Sequence, residues 1–418
     1  MKRFLLGITI LCTLCSLTTR ADQWPQWRGP QFNGVAQGTG FPVEWGPEKN
    51  IAWKFKLSER GSSTPAVWND HIFLTGAEGD RNMVYSLDRK GQLRWKTAVG
   101  NRRDVRHKKG SSCNPSPTTD GKHVYVYFKS GDFGCLDFQG KVRWKKNLQQ
   151  EFGKDTLWFD LGTSPVLTKN LIVVACVQSG PSYLVGFDKV TGKIRWKQDR
   201  NLDAPEEAAQ TYSTPIVMTH QGTESVIVLG ADHVTAHQTS DGKELWRVGD
   251  LNPTSNRLFR SIASPVASGG MVIAPYARGK SLTAIQAGGR GNVTASHVRW
   301  NKTNVSVDVP TPIAHKGKVY LCSDKGKVSC LDLRSGEELW SHQIEKSRGG
   351  FSASPILADG RFYLVREDGT TFVLQHDGQP KVVATNSLDE FITATPVFAD
   401  GQILLRTFDH LYCIGKGK

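Results

Sequence analysis

Apolar and polar positions along the chain fall into short runs, grouped in fours and separated by tight-turn residues. His123-Val-Tyr-Val-Tyr-Phe128 and Lys318-Val-Tyr-Leu-Cys322 have the length and the β-branched or aromatic content of strands. The runs are punctuated by Asn69-Asp70, Asp120-Gly121, Lys169-Asn170, Gly269-Gly270, Lys316-Gly317, Asp359-Gly360 and Asp400-Gly401. Such pairs supply the positive φ that two-residue hairpins need. No internal run approaches the roughly 18 apolar residues that cross a bilayer.

The grouping has a period. Ser/Thr-Pro steps recur at Thr64-Pro65, Ser116-Pro117, Ser164-Pro165, Thr214-Pro215, Ser264-Pro265, Thr311-Pro312, Ser354-Pro355 and Thr395-Pro396. Eight of them predict an all-β, eight-bladed β-propeller built of four-stranded antiparallel blades. The third strand of a repeat carries a small residue before an apolar one: Ser86, Cys135, Gly186, Ala236, Ala284, Cys330 and Cys413. The fourth strand ends in tryptophan: Trp95, Trp144, Trp196, Trp246, Trp300 and Trp340. Blade seven offers Val382-Val383 instead, and blade eight runs out at Cys413 without a fourth strand. Ile51-Ala-Trp53-Lys-Phe55 precedes the first Ser/Thr-Pro step, so an N-terminal strand is expected to complete the last blade and remove the open edges.

Composition refines this picture. The twelve Trp are large anchors, and full burial of one such ring is worth on the order of 3 kcal/mol. They read as architecture rather than as a ligand-stacking set. Three of the eight Cys stand at the small third-strand position, where a buried small hydrophobe is expected. The first residues, Lys2-Arg3 followed by the apolar Phe4 to Leu17 and then Ala21, fit a secretory signal peptide. The expected organisation is a signal at 1–21, an extension at 22–50 and the propeller at 51–418, with the mature protein periplasmic or secreted. Lipid attachment at Cys12 or Cys15 is not expected, because Leu11 and Leu14 stand where a small residue is needed.

Loss of Lys2, Arg3 and Arg20 with the signal would lower the formal charge from +14 to +11. That balance favours an envelope protein or an anionic polymer as partner, and no nucleic acid is expected for an exported chain. The loop from Asn101 to Lys109 concentrates Arg102, Arg103, Arg106, Lys108 and Lys109. It reads either as a polyanion or partner site or as a solvated loop, mobile unless a partner orders it.

Loops leading into the innermost strands gather at one mouth of a propeller channel. Arg60, Ser111, Trp158, Asp160 and Tyr212 are expected there, together with Arg260, Asp308, Arg348 and Glu390. Mixed charges converging on a pore suit a small anionic or zwitterionic ligand, or a water-filled channel with its charges paired. No catalytic signature is present: there is no G-x-S-x-G elbow and no H-E-x-x-H pair. His233 and His237 would stand roughly 13 Å apart on a strand, too far for one metal.

Gly186-Phe-Asp188-Lys-Val-Thr-Gly192-Lys-Ile-Arg-Trp196 and Cys330-Leu-Asp332-Leu-Arg-Ser-Gly336-Glu-Glu-Leu-Trp340 resemble the tryptophan-docking repeats of pyrroloquinoline quinone (PQQ) dehydrogenases. The same repeats build the non-enzymatic outer-membrane assembly factor lipoprotein. The opening Trp24-Pro-Gln-Trp27-Arg-Gly-Pro30 resembles the lead-in of PQQ-repeat proteins of planctomycete-type bacteria. The resemblance implies a quinoprotein-like propeller over residues 51 to 418. For an enzyme it would imply PQQ with Ca²⁺, an Asp base and two adjacent Cys, and this chain has no Cys-Cys step. The expected function is a monomeric, exported, non-enzymatic scaffold, with a PQQ-type dehydrogenase or small-ligand sensor as the alternative.

Overall fold

The computed structural model describes residues 23–375 and 379–416. The expected signal peptide lies outside them. Eight sheets form the blades of a closed propeller. Blade one joins Ala66–Trp68, His71–Glu78, Arg81–Leu87 and Leu93–Asn101 in that order, all antiparallel. Blades two to seven repeat this order. Blade four gains a two-residue parallel strand, Gly291–Asn292, outside Glu244–Val248. Blade eight supplies Val397–Ala399, Gln402–Arg406 and His410–Ile414, and Ile51–Lys56 completes it as the antiparallel fourth strand. The ring therefore closes as the repeat arithmetic expects, with the last blade's outer strand supplied by the N-terminal segment.

Strand register explains the small residue of the third strand. Ser86, Cys135, Gly186, Ala236, Ala284, Cys330 and Cys413 stand directly across from Trp95, Trp144, Trp196, Trp246, Trp300, Trp340 and Trp53. Cross-strand neighbours crowd each other, so an indole needs a small partner. Blade seven inverts the pair: Val373 faces Ala384, not Val382 or Val383, and the bulk sits on the third strand. The six described cysteines are free thiols.

At five of the eight boundaries a blade also meets the next through an indole. A Cβ placed on Gly91, Gly140, Gly192, Gly242 or Gly336 would come within 2.4 to 2.7 Å of Trp53, Trp95, Trp144, Trp196 or Trp300. These glycines also hold positive φ, so no other residue fits the turn beneath the ring. The same five indole N–H groups donate to the carbonyls of Arg89, Phe138, Lys189, Thr239 and Leu333 at 2.8 to 3.1 Å.

The segment preceding Ile51 crosses the ring beneath the ends of the innermost strands. Trp24 exchanges two backbone hydrogen bonds with Val67 of blade one, and Thr119 of blade two donates to the Pro25 carbonyl. Phe32 packs into the core shared by blades three to five, and Ala36 donates to Leu357 of blade seven. Phe41 meets Phe398 of blade eight edge-on at 5.1 Å, and Trp45 stacks near Tyr363 of blade seven. At the centre, the fully buried Arg28 guanidinium donates to the carbonyls of Pro312 (2.7 Å) and Pro355 (2.5 Å). One channel mouth is thus closed by the chain itself.

Candidate functional site

The Ser/Thr-Pro steps build the wall of the remaining cup. The backbone N–H of Thr64 donates to the Ser116 hydroxyl, Ser116 to Ser164, Ser164 to Thr214, and Thr214 to Ser264. The chain continues from Ser264 to Thr311, then Ser354, then Thr395. Thr64 closes the circle by giving its own hydroxyl to the Thr395 carbonyl at 3.2 Å. A hydroxyl at this position pairs an N–H that no strand partner reaches, and the following proline has no N–H to satisfy. All eight hydroxyl residues line a cavity of about 510 Å³ whose floor is Trp27.

Above the hydroxyl circle, the structure brings together Asp160, Tyr212, Arg260 and Asp308 from the expected set on the cavity wall. Asp160 accepts from the backbone N–H of Arg106 (2.9 Å) and His107 (3.0 Å) and pairs with Lys129; both side chains of that pair are 2 % exposed or less. Gly110 lies so close to this carboxylate that a Cβ there would sit 2.2 Å from it. Tyr212 donates its hydroxyl to Gln210 and accepts from the Phe159 N–H. Arg260 bridges Glu207 (3.3 Å) and Asp308 (3.2 Å), and Arg278 also holds Glu207.

The other expected residues fall elsewhere. Ser111 is fully buried behind the wall, with its hydroxyl donated to Asn114. Arg60 is exposed and lies over the Phe408 ring, Arg348 is exposed in the loop between blades six and seven, and Trp158 stands 47 % exposed on the rim. Glu390 forms a separate cluster at the ring closure with Lys54, Thr407, His410 and Tyr412. Burial alone would raise the Glu390 carboxyl, but hydrogen bonds from Thr407, Tyr412 and His410 hold it down at about 2.

Sequence reasoning did not single out Asp324 as a lining residue. Its carboxylate accepts the backbone N–H groups of Asp308 (2.9 Å) and Val309 (3.1 Å). Burial raises the Asp308 and Asp324 carboxyls, and the charge of Asp308 raises Asp324 further. The tight-turn position after Cys322 was the available signal.

In the structure the basic loop is tied to acids of other segments. Arg102 pairs with Glu59, Arg103 and Arg106 with Asp155, and Lys109 reaches Glu367 of blade seven at 2.8 Å. Lys108 remains exposed, and its carbonyl accepts from Arg60 at 3.4 Å. Acids from distant segments hold the loop, and no local charge count reveals them. Elsewhere His237 is buried in its strand and bonded to Gly242 and Thr235, with burial lowering its imidazole to about 4. Among the described residues no group of three or more His, Cys, Asp or Glu is placed to hold a metal ion.

Eight radial sheets closed by an N-terminal strand, with a polar cup open at one face, define an eight-bladed PQQ-like β-propeller. The chain belongs to the outer membrane protein assembly factor BamB family, whose profile matches residues 35–181, 159–379 and 324–414. It is 24 % identical over 346 residues to outer membrane protein assembly factor BamB of Yersinia pestis, covering 77 % of this chain and 79 % of that one. The structure of BamB from Moraxella catarrhalis is similar at TM-score 0.63 and 13 % identity, over 87 % of this chain and 99 % of that one. Quinohemoprotein alcohol dehydrogenase from Comamonas testosteroni shares the fold at TM-score 0.67 and 12 % identity, over 95 % of this chain and 81 % of that one.

The enzymes' cofactor can be tested against this lining. PQQ carries three carboxylates, whereas the wall presents Asp160, Asp308 and Asp324 against Lys109 and Arg260. Both of those cations are already engaged, by Glu367 and by Glu207 with Asp308. A Ca²⁺ partner would want six to eight oxygen ligands, with carboxylates converging. The residues present do not fit PQQ with Ca²⁺.

Proposed function

We propose that this protein is an exported, non-enzymatic propeller scaffold whose open face holds another protein of the cell envelope. The observation that carries this reading is the inequality of the two faces. One is occupied by the chain's own residues 24 to 45, and the other presents Trp158, 47 % exposed, on loops fixed by ion pairs. A large, half-exposed aromatic on a rigid rim is the kind of anchor that dominates protein interfaces. The relatives' name, outer membrane protein assembly factor, supports an envelope partner. A periplasmic setting and a monomeric state are part of the same reading. The indoles resting on the turn glycines act as docking pegs that keep the platform stiff.

A photo-crosslinking amino acid at position 158, installed in the cell of origin, tests the proposal. One dominant adduct with a defined envelope protein, absent when the crosslinker replaces Gln31 on the closed face, is the expected result. Equal or no capture at the two positions would overturn it. Titration of the mature protein with PQQ, with and without Ca²⁺, is expected to give no saturable heat.

A further inference from the structure

The cup has a sign of charge that its lining set alone does not reveal. Its ionic groups pair off almost completely: Lys129 with Asp160, Lys109 with Glu367, and Arg260 with Arg278 against Glu207 with Asp308. Asp324 is left over. Its carboxylate is held by two backbone N–H groups, and among the described residues no ion pair reaches it. It lies half-buried on the cavity wall, within the same space as the rings of Phe159 and Tyr212. Ser62 and Thr393 also line that space, and their hydroxyls, buried just behind it, have no partner among the described residues.

We propose that the cup binds a primary ammonium group, with Asp324 as its counter-ion. A carboxylate removed from bulk water and lacking a cation is electrostatically incomplete, and an ammonium of matching size restores the balance. The three N–H donors of an ammonium can be shared between a carboxylate and neutral oxygens, which the wall supplies in excess. Aromatic faces add attraction for a cation and none for an anion. The floor at Trp27 stops the cup, so the group enters from the rim and its carbon chain trails back toward solvent. This departs from the small anionic or zwitterionic ligand expected from the sequence, because Arg260, the one expected arginine on the wall, is spent within the protein. The site takes either a free alkylamine or a lysine side chain presented by a partner, and it does not depend on the scaffold reading.

Calorimetric titration of the intact mature protein distinguishes these cases. The probes are n-butylamine, N-acetyl-lysine methylamide, n-butanol and butyrate at near-neutral pH. Both amines are expected to bind saturably, and butanol and butyrate to give no saturable signal. Tighter binding of the lysine derivative assigns the site to a partner's side chain, and tighter binding of butylamine assigns it to a free amine. Asp324→Asn is expected to weaken amine binding by about tenfold or more. Asp308→Asn, whose charge Arg260 already offsets, should weaken it less. Binding of butyrate in place of the amines would overturn the proposal, as would the absence of any amine binding. So would amine binding equal in wild type and in an Asp324→Asn protein whose melting temperature is unchanged. If that variant fails to fold, the probe series on the wild-type protein still decides the question.

Discussion

The two mouths of the channel are made from different materials. The closed mouth is filled by aromatic rings and backbone hydrogen bonds: Trp24 on Val67, Phe41 on Phe398, and Arg28 capping two proline carbonyls. The open mouth is lined by carboxylates, hydroxyls and ion pairs, and it leaves a large aromatic to solvent. Apolar burial is favourable wherever it occurs, so the closed mouth contributes stability. Paired charges at a rim contribute little of it, but they fix loop positions. The ring is consequently a cup rather than a tunnel.

The comparison can be broken most forcefully at the closed mouth. Trp24 is 1 % exposed, and Trp24→Ala should cost about 3–5 kcal/mol in chemical denaturation. A cost below about 1 kcal/mol would show that the segment merely rests on the ring. Gly91→Ala, at φ 78° with a Cβ 2.5 Å from Trp53, should cost about 1–3 kcal/mol and loosen the junction of blades eight and one. Ser264→Ala removes one hydroxyl from the circle and leaves the buried Thr214 N–H unpaired, for about 1–2 kcal/mol.

At the ring closure, the Glu390 carboxyl lies below its unfolded value, so its contribution is present above about pH 4.5. It is lost as pH falls toward about 2. Thermal melts across that window should show a shallower acid decline in Glu390→Gln than in wild type. Trp158→Ala on the open rim should change stability by less than about 0.5 kcal/mol yet abolish partner capture. A large stability loss there would make the indole structural.

Blade number and ring closure were legible because they rest on local, repeated chemistry. The Ser/Thr-Pro spacing survives as hydrogen bonds between residues 41 to 52 apart at seven of the eight blade boundaries. The small third-strand residue was legible too, although only the register shows that it faces its own blade's tryptophan. The closed mouth was not legible. Arg28 bonds to carbonyls 284 and 327 residues away, and no periodicity records such contacts. The cluster Trp24-Pro-Gln-Trp27-Arg28 ahead of the first strand was the only trace, since aromatic residues rarely stay in solvent without a purpose. The cup was half legible. Asp160, Tyr212, Arg260 and Asp308 converge, whereas Ser111 lies buried behind the wall, Glu390 joins the ring-closure cluster, and Arg60, Trp158 and Arg348 are exposed outside the lining.

Hydrogen exchange of the intact protein tests the cup most directly. Amides of Trp24, Gly34, Ala36 and Leu57, all bonded to backbone carbonyls, should exchange as slowly as the innermost blade strands. Exchange of Trp24, Gly34 and Ala36 at the rate of exposed loops, with the blades still protected, would mean an open channel and would contradict the closed mouth.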